Sequence, residues 1–247
     1  MRHFLISLTI IFVMASPLLR GDTVEELMRK GDAAYARRGE AGMAADALSA
    51  FREALRLAPG SFEAMVKSLQ AMYFIGDHAG GRDEKQKLFK EGMDLSRKAT
   101  ALLPDRVEGH YWLGVHTGSY GEARGVLKSL FLKNDIIRAM ERAIAIDGAY
   151  EHAGAHCVLG RLYFKVPGMF GGSKKKSRQY LERCRAIAPK SSVCLLFLAE
   201  TYWSLGEKDL AVKTLEELLA MEPDPQWIPE SEKDKTAGRA LLRKYTK

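Results

Sequence analysis

From residue 24 onward the apolar positions recur with helical spacing, and that pattern is punctuated at regular intervals. The cleanest stretch is residues 192–223, SVCLLFLAETYWSLGEKDLAVKTLEELLAMEP. Leu198, Ala199 and Tyr202 lie on one face of a first helix, and Ala211, Leu215 and Leu218 on one face of a second. A Gly-containing turn separates them, and Pro223 ends the unit because proline cannot continue a helix. The small residues, Ala199 and Ala211, let the two helices approach, while the larger apolar side chains fill the seam. The same order of small residue, large residue and terminator returns upstream. It reads Ala47, Phe51, Ala54, Pro59; then Gly92, Ser96, Ala99, Pro104; then Ile136, Met140, Ala143, Gly148; then Ser177, Leu181, Cys184, Pro189. First helices are predicted at about 24–38, 62–75, 107–120 and 151–166.

Self-similarity at a period near 34 residues is the mark of tetratricopeptide-like helix pairs. The expected architecture is all-α: a tetratricopeptide-like superhelix of about five irregular helix pairs plus a C-terminal capping helix. Four of the five pairs exceed the standard period and are expected to carry insertions at the inner turn. The capping helix is expected from about Ser231 to Lys244, with Ser231 as its N-cap. Stacked pairs share one continuous core and line a concave groove with their first helices. The same inner position of successive first helices holds Tyr35, Tyr73, Gly118, Phe164 and Trp203, and a neighbouring position holds Tyr111. Arg161, Lys165 and Glu200 are charges beside these aromatics and need partners there. The groove residues expected to meet a ligand or partner are therefore Tyr35, Tyr73, Tyr111, Arg161, Phe164, Lys165, Glu200 and Trp203. Such a ladder suits an extended peptide, a partner helix or a small apolar ligand.

The N-terminus differs from everything after it. MRHFLISLTIIFVMASPLLRG has a basic start, an apolar run from Phe4 to about Val13 and then small residues, as a secretory signal does. Residues 1–21 are expected to be a signal peptide or signal anchor, and 22–247 a single repeat domain. The protein is accordingly expected to be exported, either free or tethered through that segment. A net charge of +7, spread along the chain, is too diffuse to indicate nucleic acid. Cys157, Cys184 and Cys194 are too few for a disulfide framework and read as small buried residues.

Candidate chemistry is sparse. His152 and His156 with Cys157 resemble half a metal site that nothing nearby completes. The loop PGMFGGSKKKSR, residues 167–178, lacks phosphate-loop spacing and reads as an enlarged turn with Ser173 capping the next helix. No nucleophile motif, carboxylate pair or dinucleotide fingerprint occurs, so binding without a cofactor is expected in place of catalysis.

Two longer stretches carry a resemblance. HYWLGVHTGSYGEARGVLKSLFLKNDIIRAMERAIAID and the following VLGRLYFKVPGMFGGSKKKSRQYLERCRAIAP resemble the tetratricopeptide T-component of bacterial TRAP transporters. The same layout, an enlarged third repeat and the late SEKDK helix are similar to the regulator of microtubule dynamics family. The likeness covers about two thirds of the chain, from Asp83 onward. T-component membership would imply a periplasmic homotrimer that docks the transporter's substrate-binding P-component and holds a small apolar or carboxylate ligand. The alternative is an envelope adaptor whose groove binds a peptide and has no transport role.

Overall fold

A computed structural model describes residues 22–246. The expected signal segment lies outside the described residues. Among the described residues, ten helices form five antiparallel pairs: α1 Val24–Ala36 with α2 Met43–Leu57, α3 Phe62–His78 with α4 Arg82–Leu102, α5 Val107–Arg124 with α6 Lys133–Asp147, α7 Tyr150–Lys165 with α8 Lys174–Ile187, and α9 Ser192–Ser204 with α10 Lys208–Ala220. An eleventh helix, α11, runs Ile228–Tyr245. The all-α superhelix of five pairs and a terminal helix is thus what forms.

Local chemistry sets the boundaries. Thr23 and Glu26 form a reciprocal capping box at the start of α1, and Ser61 and Ser173 cap α3 and α8 through their side-chain oxygens. Pro59, Pro104 and Pro189 each follow the residue that closes a second helix, where they stop its continuation. The repeated inner faces are sealed: Ala47, Phe51, Ala54, Met140, Ala143, Leu181, Cys184, Ala211, Leu215 and Leu218 are all fully buried. The three cysteines are buried and free.

The lengthened inner turns are built in different ways. A seven-residue 3-10 segment, Val126–Leu132, extends the third pair, and a short 3-10 turn, Gly168–Phe170, enlarges the fourth. In the second pair the extra residues went into the helices, because RDEKQKLFKEG has helix-forming residues and places Asp83 and Glu84 in the favourable first turn of α4. At the fourth turn Gly172 lies against the chain before it: a Cβ there would collide with the carbonyl oxygen of Val166. Only glycine fits that backbone approach.

The last helix departs from expectation. It begins at Ile228, with Pro229 in its first turn, so Ser231 is inside the helix and not its N-cap. Ser231 is almost fully buried and its hydroxyl meets that of Ser192 at 3.3 Å. Asp224 supplies the local cap instead, accepting from the backbone N–H of Gln226 in the preceding 3-10 turn.

Candidate functional site

The start of α11 does more than close the last pair. Its first turns, with the segment 224–227, lie across the concave side and touch four of the five first-helix units. Arg38, just after α1, donates from Nε and Nη2 to the two oxygens of Glu230 at 2.8 Å each, and also to the carbonyl of Gln226. Both members of this bidentate pair are largely buried, with side chains 7% and 19% exposed. Lys233 pairs with Asp77 at the end of α3. Trp227 packs on His152 of α7, ring centroids 5.2 Å apart, and Ser192 of α9 donates to Asp234 at 2.7 Å. The groove expected to receive a partner helix is crossed by the protein's own.

Beneath this strap lies a chamber of about 240 Å³. Its walls are mostly apolar, from Val115, Ile136, Val158, Leu162, Phe197 and Trp227, and α7 forms its long side. Over the residues from Glu151 to Lys165 a helix advances about 20 Å, and charged groups gather at both ends of it. At the α7 N-terminal end stand Glu151, Asp234 and Asp77, the last paired with Lys233; at the other stand Arg161, Lys165 and Lys133, with Glu122 beside the first two.

Burial raises the Glu151 carboxyl above its ordinary range, although Gln70 donates to it at 3.2 Å. Burial also pushes Asp234 up to about 6, opposed by the hydrogen bond from Ser192. At the basic end Arg161 pairs with Glu200, Lys165 lies 3.8 Å from Glu122, and Lys133 donates to the carbonyl of Phe170 at 2.8 Å.

The acidic end is backbone-strained. Glu151, His152 and Ala153 form one left-handed turn, φ 49°, 55° and 56°, at the beginning of α7. Left-handed geometry costs a residue with a Cβ roughly 1–2 kcal/mol. The turn is held by the Gln70–Glu151 bond, by Trp227 over His152 and by the Cys184 thiol, whose Sγ lies 3.7 Å from the carbonyl oxygen of His152. Gly154 follows at once, and a Cβ there would collide with the Tyr111 hydroxyl oxygen. Strain of this kind persists where surrounding contacts over-determine the backbone, and it concentrates at binding sites.

Of the residues expected in the groove, Tyr73, Tyr111, Arg161 and Lys165 line the chamber. Glu200 stands behind Arg161 as its ion-pair partner. Tyr35 is outside the chamber, against Phe74 and under the Arg38 guanidinium at 4.8 Å. Phe164 faces Lys174, whose ammonium is 3.3 Å from the ring centroid. Trp203 stacks flat on Tyr245 of α11 at 3.7 Å. Sequence reasoning did not reach Asp77, Glu151, Asp234 and Trp227. All four are placed by long-range contacts, Glu151 through Gln70 and the others through the path of α11 and the segment before it. Among the described residues no group of three His, Cys, Asp or Glu side chains could hold a metal ion.

Five helix pairs around a lined concave face define a superhelical scaffold of the tetratricopeptide class. The chain belongs to the regulator of microtubule dynamics family: the family model described as regulator of microtubule dynamics protein 1-3 matches residues 27–175, and a tetratricopeptide repeat model matches 175–228. Of the two resemblances in the sequence, the family model is that of the second. Among solved structures, a thermophilic tetratricopeptide protein of Thermus thermophilus is similar over 89% of this chain and 99% of its own, with TM-score 0.65 and 18% identity. MamA is similar over 88% and 96%, with TM-score 0.50 and 22% identity. These likenesses are of fold. No curated protein matches the chain.

Proposed function

We propose that the protein is a binding scaffold whose concave face holds one small ligand with an apolar body and a carboxylate, under a lid formed by its own last helix. The observation that carries this reading is the chamber of about 240 Å³, apolar along its walls, with Arg161, Lys165 and Lys133 gathered at one end. Apolar walls supply burial, and a few convergent polar groups fix orientation, as in small-molecule sites generally. Lys133 and Lys165 favour the carboxylate end of a ligand, and the apolar body would then lie along the walls between them and Glu151. Tyr73, Tyr111, Arg161 and Lys165 are the contact residues in this reading; Tyr35, Phe164, Glu200 and Trp203 support the shell around them. Octanoate is a suitable probe in calorimetry. It should bind the wild type and bind more weakly to Lys165→Ala and Lys133→Ala, with helix content unchanged. No heat with octanoate and none with octylamine would sink the ligand reading.

A role as an exported T-component, trimeric and docked on a periplasmic substrate-binding protein, is the second proposal. The basic start and apolar run from Phe4 to Val13 favour it. Native mass measurement of the chain, alone and with a candidate binding protein, tests it. A strict monomer that ignores the binding protein removes the transport role and leaves a peptide- or protein-binding adaptor.

A further inference from the structure

The two enlarged turns project large apolar side chains that the core does not use. Leu127 and Phe131, in the 3-10 segment of the third pair, are each 67% exposed, and Met169 and Phe170, in the turn of the fourth, are 86% and 43% exposed. The turns are neighbours, since Lys133, the residue directly after the first, donates to the carbonyl of Phe170 in the second at 2.8 Å. Four large apolar side chains on two adjacent turns exceed the scattered single exposures that need no explanation.

Within the two stretches that carry these tips every charge is basic, although Glu122 and Asp135 flank the first. No Asp or Glu occurs from residue 123 to 134, or from 152 to 181. Lys128, Lys175 and Lys176 make no ion pair among the described residues, although most arginines of the surface are paired. Lys174, Lys175 and Lys176 also occupy the first turn of α8, where a helix dipole favours anions and the lysines oppose it. An anionic surface brought to that end would satisfy both the dipole and the lysines.

We propose that these two turns dock the protein on an anionic lipid bilayer, with Leu127, Phe131, Met169 and Phe170 entering between headgroups and the surrounding lysines meeting lipid phosphates. The separation of the apolar side chains on two turns selects this occupant. A protein partner would have to supply a cavity for each tip, whereas a bilayer yields to separate apolar side chains and offers charge in every direction along its surface. Lysine stems can lie along the apolar zone while their ammonium groups stay at headgroup level.

The test uses the full chain with Met169→Cys labelled by an environment-sensitive NBD dye; Cys157, Cys184 and Cys194 are buried and escape labelling. The same label at Leu210→Cys, on α10, is the control. With vesicles of phosphatidylcholine containing about 30% phosphatidylserine, emission at position 169 should rise severalfold and shift to the blue, while position 210 stays unchanged. The response should be absent with pure phosphatidylcholine and should collapse near 1 M salt, where the screening length is about 3 Å. Lys128→Glu/Lys175→Glu/Lys176→Glu, changed together, should abolish it, and Phe131→Ser should weaken it at constant helix content. No change at position 169 while the chain pellets with vesicles would overturn the proposal, since attachment then runs through another segment. So would an equal response on neutral vesicles. A response without vesicles that grows with protein concentration would assign the patch to a second copy of the chain and also overturn it.

Discussion

Asp234 shows how a single carboxyl can work against the structure that buries it. Its folded-state pKa of about 6 lies above the ordinary value of 3.8, so between these pH values the folded protein holds a proton that the unfolded chain has released. Stability contributed by the protonated form is present below pH 4 and is lost as pH rises through 6. Asp234→Asn keeps a hydrogen-bonding group beside Ser192 and removes the titration. At pH 7 it should stabilise by up to about 3 kcal/mol, two pKa units at about 1.4 kcal/mol each, with no gain near pH 4. Thermal unfolding at the two pH values measures this, and an equal shift at both would refute it. Gly172 offers a second test. Its missing Cβ leaves room for the Val166 carbonyl, so Gly172→Ala must move backbone, and a loss of about 2–4 kcal/mol is expected in urea unfolding.

At the scale of elements, α11 depends on one buried ion pair. Removing Glu230 strands the Arg38 guanidinium, 7% exposed, so Glu230→Ala should cost about 3–5 kcal/mol. Arg142→Ala, which breaks an exposed pair with Asp105, should cost less than about 1 kcal/mol. Denaturant titration of the two variants makes the comparison, and similar costs would mean that the strap is loosely held. The helix pairs themselves were legible because small and large apolar residues recur at fixed offsets, and prolines close them. The path of α11 was not. The contacts of its first turns are polar and join Arg38, Asp77 and Ser192 to residues 42 to 192 positions away, which no local period encodes. Likewise the left-handed turn at Glu151–Ala153 has no glycine to announce it; its stabilising groups come from α3, α8 and the segment before α11.

For the whole molecule, the strap changes how the repeats share their stability. An open stack couples each pair only to its neighbours, so its ends fray first. Here Arg38 of the first pair and Glu230 after the fifth are joined directly. Amide exchange should therefore protect α1 and α2 nearly as well as α7 and α8, and in Glu230→Ala the protection of the first pair should fall most. Loss spread evenly over all pairs would argue against a tie between the ends. The candidate site was half legible at this scale: Tyr73, Tyr111, Arg161 and Lys165 follow from the inner-face pattern of the first helices. Tyr35, Phe164 and Trp203 occupy the same pattern but are covered by Arg38, Lys174 and Tyr245, contacts that depend on chain ends and turns.

The strap also sets a clock. Residues 224–234 are synthesised after all five pairs, yet they roof the chamber and bridge to residue 38. A nascent chain can stack its repeats as they emerge, but its chamber has no roof until that stretch has left the ribosome. A chain stalled or clipped before Pro225 would display five assembled pairs around an open trough. Such a product would keep the helices and lose the container.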